Sequence, residues 1–232
     1  MLLTQRIEAS IFDLDGVIVD TARYHYLAWK RLAGELGFAF SERENEQLKG
    51  VSRLESLNLL LQSGGITDVT DEQRQSLASR KNEWYKEYLA TLTPADVLPG
   101  VTALLEYLRS RDIRTAIASA SQNAPLILEK TGVRPLFDAV VDGNSITRAK
   151  PDPEVFLQAA RLLGAAPAQC IVFEDAEAGV EGALRAGMGV VGIGDAQRLG
   201  RARFTLASFR ELAPAELLAR IGGPGTMRGE AE

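Results

Sequence analysis

The most informative part of the chain reads Ile11-Phe12-Asp13-Leu14-Asp15-Gly16-Val17, an apolar run that ends in two carboxylates and a glycine. Side chains two positions apart share one face of a strand, so Asp13 and Asp15 should both project beyond the end of this one. Two carboxylates so close together are tolerated if a cation shares the site or if one of them keeps its proton. An acidic turn that caps the next helix would also explain the pattern. Residues elsewhere in the chain must therefore decide between a catalytic site and a turn.

Polar residues also follow or separate the later α/β segments of the chain. Ser119 follows the apolar run 114–118, Lys150 precedes a proline, and the acidic pair Glu174 and Asp175 follows the run 170–173. The carboxyl ends of parallel strands meet at one edge of a sheet, where α/β enzymes bind ligands. Glutamate and aspartate are hard oxygen donors that suit Mg²⁺. The pattern therefore predicts that these groups converge with the two aspartates of the first strand.

Alternation of strand and helix patterns predicts an α/β fold. Strand patterns occur at residues 8–12, 114–118, 139–141, 170–173 and 189–193, and helical patterns separate the last four. This rhythm is typical of a Rossmann-like, doubly wound parallel sheet. Between residues 12 and 114 the chain instead shows helical patterns, including capping-box sequences that begin at Ser52 and Thr70. We therefore expect a core of residues 1–17 and 96–232, ending in a frayed tail from residue 222, and an inserted all-helical cap domain of residues 18–95.

Composition limits the partners and the compartment. The chain has 232 residues, a formal net charge of −5 and 46% hydrophobic residues. The negative charge argues against nucleic acid or an acidic membrane surface as a partner. The apolar runs are shorter than the roughly 20 residues of a membrane span, and residues 1–10 lack the apolar centre of a signal peptide. We expect a cytoplasmic monomer whose one cysteine, Cys170, is a buried structural thiol.

Together the segments around Asp13, Ser119, Lys150 and Asp175 resemble the haloacid dehalogenase-like phosphotransferases, over the whole chain apart from its two ends. The resemblance implies that Asp13 is the nucleophile and forms a phosphoaspartyl intermediate, while Asp15 acts as general acid and base. Dehalogenases resemble this family only in the first aspartate, so an acid at position 15 argues against that activity. The resemblance further implies that Lys150 is a phosphate counterion and that a Mg²⁺ ion is held by Asp13, Asp15, Glu174 and Asp175.

Four further motifs are Asp20-Thr21 with His25 and Trp29, Lys49-Gly50-Val51-Ser52-Arg53 with Ser56, Arg80-Lys81-Asn82, and Ser119-Ala120-Ser121 with Asn123. They resemble the sugar-phosphate mutases of this family, which interconvert β-glucose 1-phosphate and glucose 6-phosphate through the 1,6-bisphosphate. A bisphosphate needs a second phosphate site, and the planar guanidinium of Arg53 is the best donor that the insert offers. Ser121 and Asn123, at the start of the facing core helix, would complete that site. Gln122 stands where the family often has a lysine, so the site would be less positive here. The resemblance implies substrate contacts from His25, Trp29, Lys49, Gly50, Val51, Arg53, Ser56, Lys81, Ser119, Ala120, Ser121, Asn123 and Lys150.

Each of these cap residues, taken alone, also has a structural explanation. A lysine or an arginine can be a solvated charge at a helix end, Trp29 can belong to a core, and His25 can bond to a neighbouring backbone group. The joint pattern favours a substrate site in a hinged cap, and we therefore expect a magnesium-dependent mutase for a small-molecule sugar phosphate. Two alternatives stay open: a sugar-phosphate phosphatase of the same family and a catalytically idle sugar-phosphate binding protein.

Overall fold

Six parallel strands form one sheet, which confirms the predicted fold class. The computed structural model describes residues 7–222. Its strands are β1 (Ala9–Phe12), β2 (Arg114–Ala118), β3 (Ala139–Val141), β4 (Cys170–Glu174), β5 (Gly189–Ile193) and β6 (Phe204–Leu206). They lie in the order β3-β2-β1-β4-β5-β6, and Phe12 of β1 stands beside Ile117 on one side and Phe173 on the other. The chain progresses outward in opposite directions from β1 and β4, and doubly wound sheets bind ligands at such a switch point.

The strands are apolar because helices cover both faces of the sheet. Every side chain of β1 and β4 is buried, as expected for parallel strands enclosed from two sides. On one face Phe12 stacks on Phe173, with ring centroids 4.7 Å apart, and packs against Phe209. Ile11 belongs to the apolar cluster on the other face, together with Cys170, which is buried as predicted. The sheet therefore holds the residues at its carboxyl edge in fixed positions.

The helices fall into two groups along the chain. Between β1 and β2 lie α1 (Ala22–Glu35), α2 (Glu42–Asn45), α3 (Arg53–Ser63), α4 (Asp71–Leu89) and α5 (Val101–Ser110). The later helices are α6 (Ala124–Thr131), α7 (Glu154–Leu163), α8 (Glu177–Arg185) and α9 (Pro214–Gly222). Helices α1 and α3 both pack against α4. The predicted capping box of Thr70 and Gln73 opens α4, and Ser52 accepts a hydrogen bond from the Glu55 amide at the start of α3.

Two chain segments that connect α1–α4 to the sheet run side by side. The amide of Leu98 donates to the carbonyl of Ile18 (2.9 Å), and the amide of Asp20 donates to the carbonyl of Asp96 (3.1 Å). Arg23 of α1 adds an ion pair to Asp96 at 2.6 Å. We call residues 18–95 the cap and the other described residues the core. This division stays a prediction, and paired connecting segments of this kind are suited to a hinge.

Three elements have no counterpart among the elements that the sequence patterns predict. Helix α2 is a single turn, and β6 is a three-residue strand at the sheet edge, so both are too short to show a period. Helix α9 begins at a proline and buries Leu217 and Ile221, four positions apart on one face. Most of the predicted frayed tail lies outside the described residues, but its first residue, Gly222, is the last residue of α9. Residues 1–6, part of the segment predicted to lack a signal peptide, also lie outside the described residues. Within residues 7–222 no helix combines the length and the apolar character that crossing a membrane requires.

Candidate active site

Three strands deliver functional groups to the carboxyl edge of the sheet. Asp13 directly follows β1, and its amide donates to the carbonyl of Phe173 on β4 (3.0 Å). Ser119 directly follows β2, and its amide donates to the last residue of β3 (3.0 Å). The chain turns sharply at Gly16, where φ is +88° and an added Cβ would collide with the Asp175 carboxylate. Only glycine fits this turn, and it brings the predicted acidic segments of β1 and β4 against each other.

Lys150 is buried between two carboxylates rather than exposed on the surface. Its ammonium donates to Asp13 Oδ1 and, at 2.6 Å, to Glu174 Oε1. The second oxygen of Glu174 accepts a hydrogen bond from the Ala176 amide at 2.8 Å. Burial opposes the charge of Lys150, but Asp13 and Glu174 together raise its pKa above the ordinary value. Lys150 is therefore a permanent cation directly beneath Asp13.

The Asp15 carboxylate is held by side chains of the cap and of the hinge. Its Oδ1 accepts hydrogen bonds from the Thr21 hydroxyl and, at 3.2 Å, from the Tyr85 hydroxyl, and His25 Nε2 lies 3.7 Å away. Burial acts to raise the pKa of Asp15, but the contacts with His25, Thr21 and Tyr85 outweigh it and leave the pKa below the ordinary value. For Asp13 the outcome is opposite, because burial raises its pKa well above the ordinary value although Lys150 acts against this.

A buried histidine and lysine pair stands next to Asp15. Lys81 Nζ lies 3.0 Å from His25 Nδ1 and over the rings of Trp29 (4.4 Å) and Tyr85 (4.6 Å). The other ring nitrogen, Nε2, faces the Asp15 carboxylate, which only accepts hydrogen bonds, so a proton on Nε2 suits this contact. Burial, with the charge of Lys81, lowers the pKa of His25 to about 4. Burial, with the charge of Arg53, lowers the pKa of Lys81 well below its ordinary value.

The carboxyl groups at the sheet edge have too little positive charge around them. Four of them, Asp13, Asp15, Glu174 and Asp175, meet two lysines, Lys150 and Lys49. Burial, with the charge of Glu174, raises the pKa of Asp175 to about 7 although Lys49 lies 3.4 Å from its Oδ2. The donor atoms are all oxygens, so the site fits Mg²⁺, which takes few protein carboxylates and keeps several waters.

The contacts narrow the predicted set of four metal ligands. Both oxygens of Glu174 accept hydrogen bonds, and Oδ1 of Asp15 binds Thr21 and Tyr85, so Asp13 and Asp175 keep the most capacity to bind a cation. Within residues 7–222 no set of three or more acidic, histidine or cysteine side chains already stands in coordinating positions. The ligand set of Asp13, Asp15, Glu174 and Asp175 stays a prediction, with Asp13 and Asp175 favoured.

Between the sheet edge and the cap lies a cavity of about 410 Å³. All of the predicted site residues line it except Lys150 and Glu174, which lie behind Asp13. Arg53 has no ion-pair or hydrogen-bond partner within the described part of the chain, and burial lowers its pKa from the ordinary value. The Ser56 hydroxyl already donates to the carbonyls of Leu48 (3.3 Å) and Ser52 (3.0 Å), so it reaches a ligand only as an acceptor. The cavity thus combines core carboxylates with cap cations.

Three residues that shape this cavity were not predicted as site residues, although Thr21 and Asn82 stand in motifs that resemble the mutases. Tyr85 and Thr21 bind Asp15, and Asn82 of α4 accepts a hydrogen bond from Asn123 across the boundary between cap and core (2.9 Å). Thr21 stands next to the hinge at the start of α1 and could have been found from that position. The other two contacts depend on how the cap docks, and no local pattern signals them.

The chain is similar to known proteins over most of its length. The family model of the haloacid dehalogenase-like hydrolases matches residues 7–187. A β-phosphoglucomutase of Bacillus subtilis is 47% identical over 191 residues, which are 82% of this chain and 84% of that protein. A fructose-1-phosphate phosphatase of Escherichia coli is 31% identical over 189 residues, 82% of this chain and 97% of that protein. The crystal structure of a β-phosphoglucomutase from Clostridium difficile has a TM-score of 0.84 at 38% identity and covers 92% of this chain and 100% of that chain. Since the family model spans more than half of the chain and both sequence relatives exceed 30% identity over four fifths of it, this protein belongs to the haloacid dehalogenase-like hydrolase family.

Proposed function

We propose that this protein is a magnesium-dependent β-phosphoglucomutase, which interconverts β-glucose 1-phosphate and glucose 6-phosphate through the 1,6-bisphosphate. The similarity to mutases in Bacillus subtilis and Clostridium difficile supports this proposal. The observation that carries it is the division of charge in one cavity. Asp13 and Asp15 stand on the core, whereas Arg53 and Lys81 stand on the cap and form no close ion pair with a carboxylate among residues 7–222.

A ligand with two phosphate groups matches this division. One phosphate would lie at Asp13, next to Ser119 and above Lys150, and the other would lie at Arg53. Arginine presents a planar fork of donors that matches a phosphate group. An incoming phosphate would also favour the charged form of Lys81, whose pKa is depressed in the free protein. The two basic side chains of the cap are therefore placed to bind an anion that the protein itself does not supply.

The proposed reaction has two phosphoryl transfers. A carboxylate oxygen of Asp13 attacks the phosphorus, a phosphorus–oxygen bond forms, and the bond to the sugar oxygen breaks while Asp15 gives a proton to that oxygen. In the reverse sense a sugar hydroxyl gives its proton to Asp15 and attacks the phosphoaspartate. Because the pKa of Asp15 is lowered in the free protein, its resting form is the carboxylate, which suits the step that begins from a phosphorylated Asp13.

Mg²⁺ would bind at Asp13 and Asp175, and when bound it neutralises the phosphate oxygens during transfer. Lys150 keeps the nonattacking side of Asp13 in place. Since both oxygens of Glu174 are engaged, that residue orients Lys150 from behind. The chain's own residues thus hold the nucleophile and move the proton.

A phosphatase is the second candidate, favoured by the similarity to the Escherichia coli fructose-1-phosphate phosphatase. The two activities differ in whether a sugar hydroxyl or water attacks the phosphoenzyme. The test is to incubate the protein with Mg²⁺, β-glucose 1-phosphate and a trace of the 1,6-bisphosphate, and to measure glucose 6-phosphate and free phosphate in parallel. A large excess of glucose 6-phosphate is expected, with the α anomer a poor substrate. Stoichiometric free phosphate without glucose 6-phosphate would identify a phosphatase instead.

A further inference from the structure

A second cavity, of about 320 Å³, also lies between cap and core and is adjacent to the catalytic one. Its walls include Gly16, Leu98, Arg198 and Phe209. Ala22, Lys49 and Asp175 line both this cavity and the catalytic one, so these three residues form the wall between them. Two of the three are long or charged side chains from opposite sides, Lys49 from the cap and Asp175 from the core. Their contact therefore decides whether the two cavities stay separate.

The Lys49 ammonium lies within ion-pair distance of two carboxylates. Its ammonium lies 3.4 Å from Asp175 Oδ2 on the core and 3.2 Å from Glu46 Oε2, three positions earlier on the same cap segment. An ammonium is a compact charge on a flexible stem, so its position follows the balance of charge around it. If the charge of Glu46 were uncompensated, it would draw Lys49 toward the cap and away from Asp175.

Arg198 compensates that charge from the core. It lies in the segment after β5, and its guanidinium contacts the Glu46 carboxylate through Nη1 and the Glu46 carbonyl through Nη2 (3.4 Å). Its Nε also lies 3.5 Å from a carboxylate oxygen of Glu177 in α8. The side chain is partly buried, with 29% of its surface exposed, so this pair is less screened by solvent than one on an open surface. Arg198 thus connects α8 of the core to the cap segment that carries Lys49.

We propose that Arg198 is a positioning residue for phosphoryl transfer, which holds the cap segment 46–51 on the core through Glu46 and thereby keeps Lys49 against Asp175. The closed wall keeps water of the second cavity away from phosphorylated Asp13. Glycine at position 50 allows the segment this close approach, because its Cα lies where an added Cβ would stand 2.9 Å from the Ala176 Cβ. The consequence for transfer rests on the proposed mutase function, whereas the closure of the wall does not.

The first experiment measures the ratio of free phosphate to glucose 6-phosphate released from β-glucose 1-phosphate with Mg²⁺ and the bisphosphate. Arg198→Ala should raise this ratio about threefold to tenfold, the effect of losing an ion pair of ~0.7 to ~1.4 kcal/mol. Arg201→Ala is the matched control, because Arg201 lies in the same segment but pairs with Glu181 inside the core. The double variant Arg198→Ala with Glu46→Gln should show a smaller rise than Arg198→Ala alone, because it has no uncompensated charge at position 46 to draw Lys49 away from Asp175. An unchanged ratio in Arg198→Ala, or an equal rise in Arg201→Ala, would overturn the proposal.

A second experiment measures, independently of any enzymatic reaction, whether the wall between the two cavities is closed. Trp29 lines the catalytic cavity and Trp84 is the other tryptophan of the chain, so in a Trp84→Phe background the fluorescence reports on Trp29 alone. Acrylamide should quench Trp29 more strongly after Arg198→Ala than after Arg201→Ala. If the wild-type protein makes no glucose 6-phosphate, the proposed function fails, but increased quenching still supports the role of Arg198. Equal quenching in the two variants refutes that role whatever the reaction is.

Discussion

Asp13 and Asp15 stand two residues apart, but their pKa values are shifted in opposite directions. Burial raises the pKa of Asp13, whereas hydrogen bonds and nearby charge from the cap lower the pKa of Asp15. We predict that Asp13→Asn forms no phosphoenzyme, because an amide is a poor nucleophile. Asp15→Asn should keep substrate binding but lose proton transfer, which lowers turnover by about 10²- to 10⁴-fold. Intact-mass measurement after incubation with the bisphosphate, together with turnover, checks both variants. A phosphorylated Asp13→Asn protein would assign the nucleophile to another residue.

Arg53 offers a test of the second phosphate site. Arg53→Ala should weaken productive binding of sugar phosphates by about 2 to 5 kcal/mol, the usual cost of removing one partner of a buried charge pair. Folding should change little, because Arg53 has no ion-pair or hydrogen-bond partner among residues 7–222. Hydrolysis of acetyl phosphate, which has only one phosphate group, serves as the internal control and should be nearly unaffected. Equal losses in both reactions would make Arg53 structural.

Lys81 should lower the stability of the fold and contribute to binding of the substrate. Burial lowers the pKa of Lys81 in the folded protein. Below about pH 10.4, the ordinary lysine pKa, the unfolded chain therefore binds a proton at Lys81 more readily than the folded one. The free energy of unfolding falls as the pH falls through this range. Lys81→Met removes this effect and should stabilise the protein by about 1 to 4 kcal/mol near neutral pH while weakening sugar-phosphate binding. Denaturant unfolding at several pH values and binding calorimetry check the two effects. A destabilised Lys81→Met protein would show that the contacts with His25 and the aromatic rings outweigh the burial of charge.

The residues that gather at the sheet edge were easier to predict than the hydrogen bonds that they form. Asp13, Ser119 and Asp175 stand just past the ends of apolar runs, and a parallel sheet brings such ends together whatever the rest of the chain does. The bond from Tyr85 to Asp15 joins residues 70 positions apart and depends on how the cap docks on the core. Local periodicity carries no information about docking. The sequence therefore indicates which residues converge at the sheet edge and leaves their hydrogen-bond partners open.

The elements of the fold were predicted where their patterns were long or strongly bounded. Strands β2, β3 and β5 have the predicted limits. Helix α9 was missed although it starts with a proline at its first turn, a position that favours helix initiation. Strand β6 has only three residues and depends on pairing with β5, so tertiary contacts rather than its own sequence create it.

The segment between α2 and α3 docks the cap on the core through a glycine. Gly50 has a φ of +75°, and a Cβ there would stand 2.9 Å from the Ala176 Cβ. Gly50→Ala should therefore cost about 1 to 2 kcal/mol from its backbone conformation and also push the cap segment away from the core, which raises KM for the sugar phosphate several-fold. Gly65→Ala is a matched control, since Gly65 has a φ of +68° but no atom within 4 Å of an added Cβ. Steady-state kinetics and thermal unfolding compare the two, and equal KM values would exclude a docking role for Gly50.

At the scale of the whole molecule, buried negative charge is concentrated where cap and core meet. The pKa of Asp175 is raised to about 7, so between its ordinary value and about 7 the folded chain binds a proton that the unfolded chain releases. This contribution to stability is present at low pH and is lost as the pH rises through about 7. The cation proposed to bind at Asp13 and Asp175 would replace that proton, and the stabilisation from its binding would grow with the ratio of its concentration to its Kd.

Magnesium should therefore stabilise the protein more at high than at low pH. We predict a clear rise in Tm on adding Mg²⁺ at about pH 8 and a much smaller one at about pH 6, where Mg²⁺ must displace a proton and binds roughly tenfold more weakly per pH unit. Scanning calorimetry with Mg²⁺ or a chelator at both pH values measures the difference. Asp175→Asn should lose most of the Mg²⁺ effect and its dependence on pH while staying at least as stable as the metal-free wild-type protein at about pH 8, because an amide does not suffer from the buried charge. An equal Mg²⁺ effect at both pH values, or one that survives in Asp175→Asn, would place the cation away from Asp175.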